Sequence, residues 1–222
     1  FPHARGEGLR GKLQQLMQLD AYEDKWLPVL ENLVADVLDA QLPGGARLRD
    51  LSMADKKVEM EFFIPMAGLN AHQLNQLCKK HDALSAQAND LHFDQVKGML
   101  KGFIDLVFVY QGRYYVLDYK SNHLGNEPSD YHPEALQAAM VDHRYDLQYQ
   151  LYTLALHRLL KSRMPDYDYE KHLGGCYYLF LRGMSSEPEH QGYGVFHKKP
   201  SFEFINKLDQ LFKGESVKGE RV

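Results

Sequence analysis

Two apolar stretches, Phe103 to Tyr110 and Arg113 to Tyr119, are mostly aromatic or β-branched and are separated only by Gln111-Gly112. That composition suits a pleated, half-buried surface, and a two-residue polar break ending in glycine predicts a β-hairpin. Upstream, Lys57 to Pro65 alternates like a strand, with Val58, Met60 and Phe62 on one face and Glu59 and Glu61 on the other. Helical spacing takes over elsewhere. Leu9 to Gln41 carries Leu13 and Leu16, then Leu30, Leu33 and Val37, with Pro28 placed to open a second helix and Leu42-Pro43-Gly44-Gly45 to end it. Ala71 to His81 reads as a short helix and Leu91 to Met99 as an irregular approach to the hairpin. The longest helical pattern, Glu134 to Arg163, follows the second hairpin strand as a crossover helix should. Asn122 to Pro133 reads as a loop, Cys176 to Leu181 as a buried strand, Phe202 to Phe212 as an amphipathic helix, and Lys213 to Val222 as a tail too polar to pack. The sum is a mixed α/β chain whose 222 residues fit one domain, without internal repeats.

The hairpin also places chemistry. With a two-residue loop, Tyr110 pairs with Arg113 and the register runs back until Asp105 faces Asp118. Alternation then puts Asp105, Asp118 and Lys120 on one face. Opposed residues have Cβ atoms roughly 4.5–5.5 Å apart, where two like charges destabilise a sheet unless something positive intervenes. A divalent cation and Lys120 would both serve. Facing carboxylates suit a hard cation, Mg²⁺ or Mn²⁺, rather than zinc. A neighbouring ammonium would help orient and deprotonate a metal-activated water, and the ion would stabilise charge on a phosphoryl oxygen. The plain alternative, solvated strand aspartates, sits poorly with Asp depletion in strands and with such apolar flanks. Glu59 or Glu61 either approaches the same metal or, as strand glutamates usually do, faces solvent.

Asp105 followed by Asp118-Tyr119-Lys120 resembles the D…(D/E)-x-K signature of the PD-(D/E)xK nucleases. The wording GFIDLVF…GRYYVLDYKSN, the Gln148…Tyr152 pair, Val58 to Phe62, Gly174-Gly175 and Tyr178 to Gly183 resemble the RecB-type branch, the C-terminal nuclease domains of exodeoxyribonuclease V beta chains. The resemblance covers nearly the whole chain. It implies a restriction-endonuclease-like core, a central mixed β-sheet flanked by helices. It implies that Asp105, Asp118 and the backbone carbonyl of Tyr119 are metal ligands and that Lys120 is the catalytic lysine. Gln148 and Tyr152 would lie on a helix behind the site, touching DNA or steadying the strand that carries Lys120. Their spacing agrees, since positions four apart share a helix face, although an amphipathic helix with a polar edge gives the same spacing. The cofactor implied is Mg²⁺, with Mn²⁺ able to substitute. The partners implied are DNA, as single strands from unwound duplex, and RecC- and RecD-like subunits of a heterotrimer acting in double-strand-break repair and recombination. One element departs from the pattern. Nothing near the start supplies the histidine ligand that this branch carries in a G-x-x-x-H context, and a segment looks to be missing between Gly8 and Leu9, either omitted from the sequence or absent from the protein. His3 is the alternative ligand there, against an ordinary solvated histidine.

Charge qualifies the picture. A net charge of −4 and a pI near 6.3 lack the broad basic footprint of an independent DNA binder. Lys97, Lys101, Arg113, Lys120 and Arg144 lie near the candidate site in sequence, where they either add local affinity or only balance the carboxylate pair, and tethering to an attached motor would supply the remaining effective concentration. Cys78 and Cys176 are isolated and form neither a C-x-x-C pair nor a disulfide framework, which fits a reducing bacterial cytoplasm. No stretch is long and apolar enough to span a membrane, no signal-peptide pattern is read, and the start at Phe1 reads as a fragment of a longer polypeptide. The histidines at 132, 143, 157, 172, 190 and 197 show no metal spacing and read as surface or core residues. Two further functions stay open: a catalytically impaired nuclease-fold module acting as a protein-interaction or DNA-guiding scaffold, and a stand-alone nuclease.

Overall fold

In the computed structural model, residues 6–215 are described. Helices α1 (Glu7–Leu19) and α2 (Leu27–Asp39) come first, then strand β1 (Lys56–Leu69), helices α3 (Ala71–His81) and α4 (Ala83–Gln87), and the hairpin strands β2 (Val96–Tyr110) and β3 (Arg113–Lys120). Helices α5 (Pro133–Asp142), α6 (Tyr145–Arg163) and α7 (Tyr169–His172) precede β4 (Leu173–Phe180), β5 (Val195–Lys198) and α8 (Phe202–Phe212). The strands make one five-stranded mixed sheet in the order β1-β2-β3-β4-β5. This is the α/β architecture expected.

Two compact units are distinguishable. One takes residues up to Lys56, Tyr119–Leu136 and Tyr178–Phe196; the other takes Lys57–Asp118, Gln137–Tyr177 and the residues from His197 onward. In the first, Leu9, Leu13 and Met17 of α1 pack on Leu27 of α2, with Leu30 and Val34 against them. In the second, Ile64 of β1, Ile104 and Phe108 of β2, Val116 and Leu117 of β3 and Ile205 and Leu208 of α8 are almost wholly buried. Burying each such side chain contributes about 1.5–3 kcal/mol.

Local chemistry explains most boundaries. Pro28 lies in the first turn of α2, where its missing N–H costs nothing. Asn70 caps α3 by accepting from the amides of His72 (2.9 Å) and Gln73 (3.2 Å), and Asp82 caps α4 likewise. At the hairpin tip Gln111 (φ 49°) and Gly112 (φ 74°) both have positive φ, as a type I′ turn requires.

Several expectations are corrected. The pattern from Glu134 to Arg163 is two helices, because Arg144 adopts φ 55° between α5 and α6. The approach from Leu91 to Met99 is irregular only as far as Gln95, since β2 begins at Val96. Alternation in β1 is broken at Glu59 (φ 49°), the backbone signature of a bulge, and Val58 is exposed while Phe62 and Ile64 are buried. The stretch from Asn122 to Pro133 contains a 3₁₀ turn, Pro128–Tyr131, closed reciprocally by Glu127 and Asp130. Strand β5 and helix α4 were not anticipated. His3 and residues 216–222 lie outside the described residues. Gly8 and Leu9 fall within the continuous helix α1.

Candidate active site

β2 and β3 pair antiparallel from Tyr110↔Arg113 to Leu106↔Leu117. Continued by one step, that register would set Asp105 opposite Asp118; both residues lie within their strands. Asp118 is buried at 4% exposure, while Asp105 is only partly covered. A buried carboxylate is stable only with donors around it.

Helix α6 supplies them. Gln148 Nε2 donates to Asp118 Oδ1 at 3.2 Å and to the Tyr152 hydroxyl at 2.7 Å. That hydroxyl lies 2.9 Å from the Phe103 carbonyl and 3.3 Å from Asp118 Oδ1, so its one proton is shared between the β2 backbone and the carboxylate. Burial, and next the Asp118 charge, push the Tyr152 pKa up, keeping the hydroxyl a donor. Both side chains thus reach residues of the hairpin strands.

The Tyr152 ring meets Phe62 of β1 edge-on at 5.7 Å. Phe62 in turn presses on Gly102, where an added Cβ would stand 2.4 Å from its ring. A glycine in β2 thus lets β1 and α6 close over the carboxylate.

A polar network fixes the depth of α6. Asp146, fully buried, accepts from Arg144 Nε at 3.0 Å and Ser85 Oγ at 2.6 Å. Tyr149 donates to the α4 cap Asp82 at 2.6 Å, and Gln150 donates to Ser85 at 2.8 Å. These residues were missed in the sequence. Their signal was a run of polar side chains on the helix flank opposite Gln148 and Tyr152, too dense to be a solvated edge alone.

Lys120, two residues beyond Asp118 along β3, is buried at 9% exposure with Nζ 5.2 Å from the Tyr178 ring centroid. Tyr119 between them points its side chain outward at 38% exposure. Three other basic residues near in sequence are engaged elsewhere. Lys101 pairs with Glu61 and lies over the rings of Phe63 and Phe103. Arg113 donates to the Glu170 carbonyl at 3.0 Å, and Arg144 serves Asp146. Glu59 and Glu61 are exposed, in keeping with the solvent-facing alternative.

The carboxylate, carboxylate and carbonyl oxygens expected as ligands form a hard donor set. Cys176, in the same interior, has its thiol pushed up to about 12 by burial and the Asp118 charge, with Thr153 Oγ1 at 3.1 Å, so no thiolate competes. Among the described residues, Glu187, Glu189 and His190 also group closely enough to share an ion, their ligand atoms within 4.8 Å. They occupy one turn with both glutamates exposed, which solvated acidic turns do without any ion.

The sequence profile of the PD-(D/E)XK nuclease superfamily matches residues 12–219. The chain belongs to the PD-(D/E)XK nuclease superfamily. PD-(D/E)XK nucleases use divalent metal ions. The chain is 50% identical over 207 residues to the RecBCD enzyme subunit RecB of Escherichia coli K12, covering 92% of this chain and 17% of that protein. It is 42% identical over 204 residues to the subunit of the same name from Haemophilus influenzae, covering 90% and 16%. The subunit from Mycobacterium tuberculosis H37Rv is 37% identical over 187 residues, covering 74% and 17%. The chain thus spans about a sixth of the length of the curated relatives it matches. No helix among the described residues is long and apolar enough to cross a membrane.

Proposed function

We propose that this chain is a Mg²⁺-dependent deoxyribonuclease module of a RecB-like subunit, hydrolysing single strands from unwound duplex during double-strand-break repair. The observation that carries this is the buried Asp118, one step beyond the Leu106↔Leu117 pair and held by Gln148 and Tyr152 of α6. The relatives are named as subunits of the RecBCD enzyme, so RecC- and RecD-like subunits are the partners proposed and the bacterial cytoplasm the compartment. Both cysteines are free and buried, which suits that setting.

In this reading Asp105, Asp118 and the Tyr119 carbonyl would hold the ion, which when bound would supply an activated water and charge stabilisation at the phosphoryl group. Gln148 and Tyr152 keep Asp118 pointed at it. Lys120, set on the same strand face by alternation, would place its ammonium beside that site. Its burial removes much of the competing solvent. Replacing Asp118 by Ala is expected to lower Mg²⁺-dependent cleavage of a labelled single-stranded oligonucleotide by more than about 100-fold with the fold retained, as judged by circular dichroism. Full activity in that variant would sink the assignment.

One observation favours the scaffold alternative. Helix α1 contains no histidine among its residues, so the fourth ligand implied by the resemblance is not provided there. Mn²⁺ titration separates the two readings: saturable binding lost in Asp105→Asn supports the enzyme, and no binding supports the scaffold.

A further inference from the structure

Beyond the metal site, a groove of about 730 Å³ opens beside the end of β3. Ser121, the residue after Lys120, lines it, together with Tyr22 and Trp26 from the connection between α1 and α2, His123 and Asn126 from the following loop, and Arg182 after β4. The rest of its wall is apolar, chiefly one flank of α2. Tyr22 is 61% exposed and Trp26 47% exposed, large losses of burial for two aromatic rings only four residues apart. Arg182 Nε donates to the Ser121 carbonyl at 3.1 Å, which ties the guanidinium to the strand end. The lining, as drawn from the described residues, contains no carboxylate, although the whole chain is acidic.

Exposed aromatic faces, a tethered guanidinium and amide and hydroxyl groups form the platform on which unpaired bases stack while the backbone follows cationic and polar groups. A double helix would keep its bases stacked on one another and could not use the rings. We infer that this groove binds single-stranded DNA by stacking bases on Trp26 and Tyr22 and leads the strand past Ser121 to Lys120. The inference rests on the proposed nuclease reading for its direction, and it adds a substrate-binding surface that the hairpin does not contain. It also answers the charge problem, because stacking supplies affinity where a basic surface is missing.

Trp26 is the single tryptophan, so its fluorescence reports the groove directly. The chain would be titrated with oligo(dT) in EDTA, where no hydrolysis complicates binding, and affinities of variants read by anisotropy of a labelled strand. The expected result is saturable quenching of the indole, a roughly tenfold weaker affinity for Trp26→Ala, and affinity within about threefold of the parent for Trp26→Phe, which keeps an aromatic face. The phenylalanine variant also controls for folding. Absence of quenching, or equal affinity of Trp26→Ala and the parent, would overturn the inference and leave a protein partner as the occupant of the groove. Quenching without hydrolysis on adding Mg²⁺ would support the groove while counting against the proposed activity. Hydrolysis without quenching would overturn the groove alone.

Discussion

Asp118 is a buried carboxylate whose hydrogen bonds from α6 are both directed to Oδ1, so the residues behind it control its aim. Tyr152→Phe removes the hydroxyl but keeps the ring on Phe62. It is expected to cost about 1–2 kcal/mol of stability, leaving the Phe103 carbonyl without that donor, and to lower cleavage roughly tenfold. Thermal unfolding and oligonucleotide cleavage measure the two effects separately. Gln148→Ala should lower cleavage further, since it also frees the Asp118 carboxylate. At this scale the sequence was informative where geometry is local. Two-residue loop chemistry set the hairpin register, which runs as expected from Tyr110↔Arg113 to Leu106↔Leu117. The Gln148 and Tyr152 pair was legible as a helix face, but not its target, because a contact across thirty residues leaves no mark in periodicity. The targets of the basic residues were hidden for the same reason: Arg113 and Arg144 are near in sequence but spend donors on Glu170 and Asp146.

At the scale of elements, α6 is held by Asp146, Tyr149 and Gln150 against the α4 region. Asp146→Ala would strip Arg144 and Ser85 of their shared acceptor in a fully buried position. The expected loss is about 3–5 kcal/mol, or on the order of 10 °C in Tm for a chain of this size. The break at Arg144 was hidden from hydrophobic spacing, because a single left-handed residue interrupts a helix without disturbing the apolar positions on either side. The Ala71–His81 and Phe202–Phe212 helices were legible to the residue, since strong caps, Asn70 and Ser201, coincide with the onset of apolar spacing. Strand β5 was invisible as a four-residue piece, too short to show alternation. Gly102 belongs to this scale too. Gly102→Val is expected to push the Phe62 ring off Tyr152, costing about 1–3 kcal/mol and activity together, with Gly102→Val/Phe62→Ala regaining part of the activity.

For the molecule as a whole, burial lowers the pKa of His157 and His197 below 6.5. Unfolding therefore takes up protons in the interval beneath that value. Their contribution is fully present above pH 6.5 and is lost as pH falls through the lowered, folded-state values. Tm should decline between about pH 7 and pH 5, and His157→Phe or His197→Phe should flatten the slope; a Tm that rises on acidification would contradict this. The charge of −4 bears on function instead. An acidic nuclease chain needs either delivery by a partner or a local binding surface, and the groove at Trp26 offers the second.

The central claim is that Asp105 and Asp118 share a divalent ion on the hairpin face that carries Lys120. Anomalous diffraction from crystals soaked in Mn²⁺ tests it most directly. The account predicts a peak between the two carboxylates and beside the Tyr119 carbonyl, absent in Asp118→Asn. A hairpin without a peak, or a peak confined to the Glu187, Glu189 and His190 turn, would contradict it.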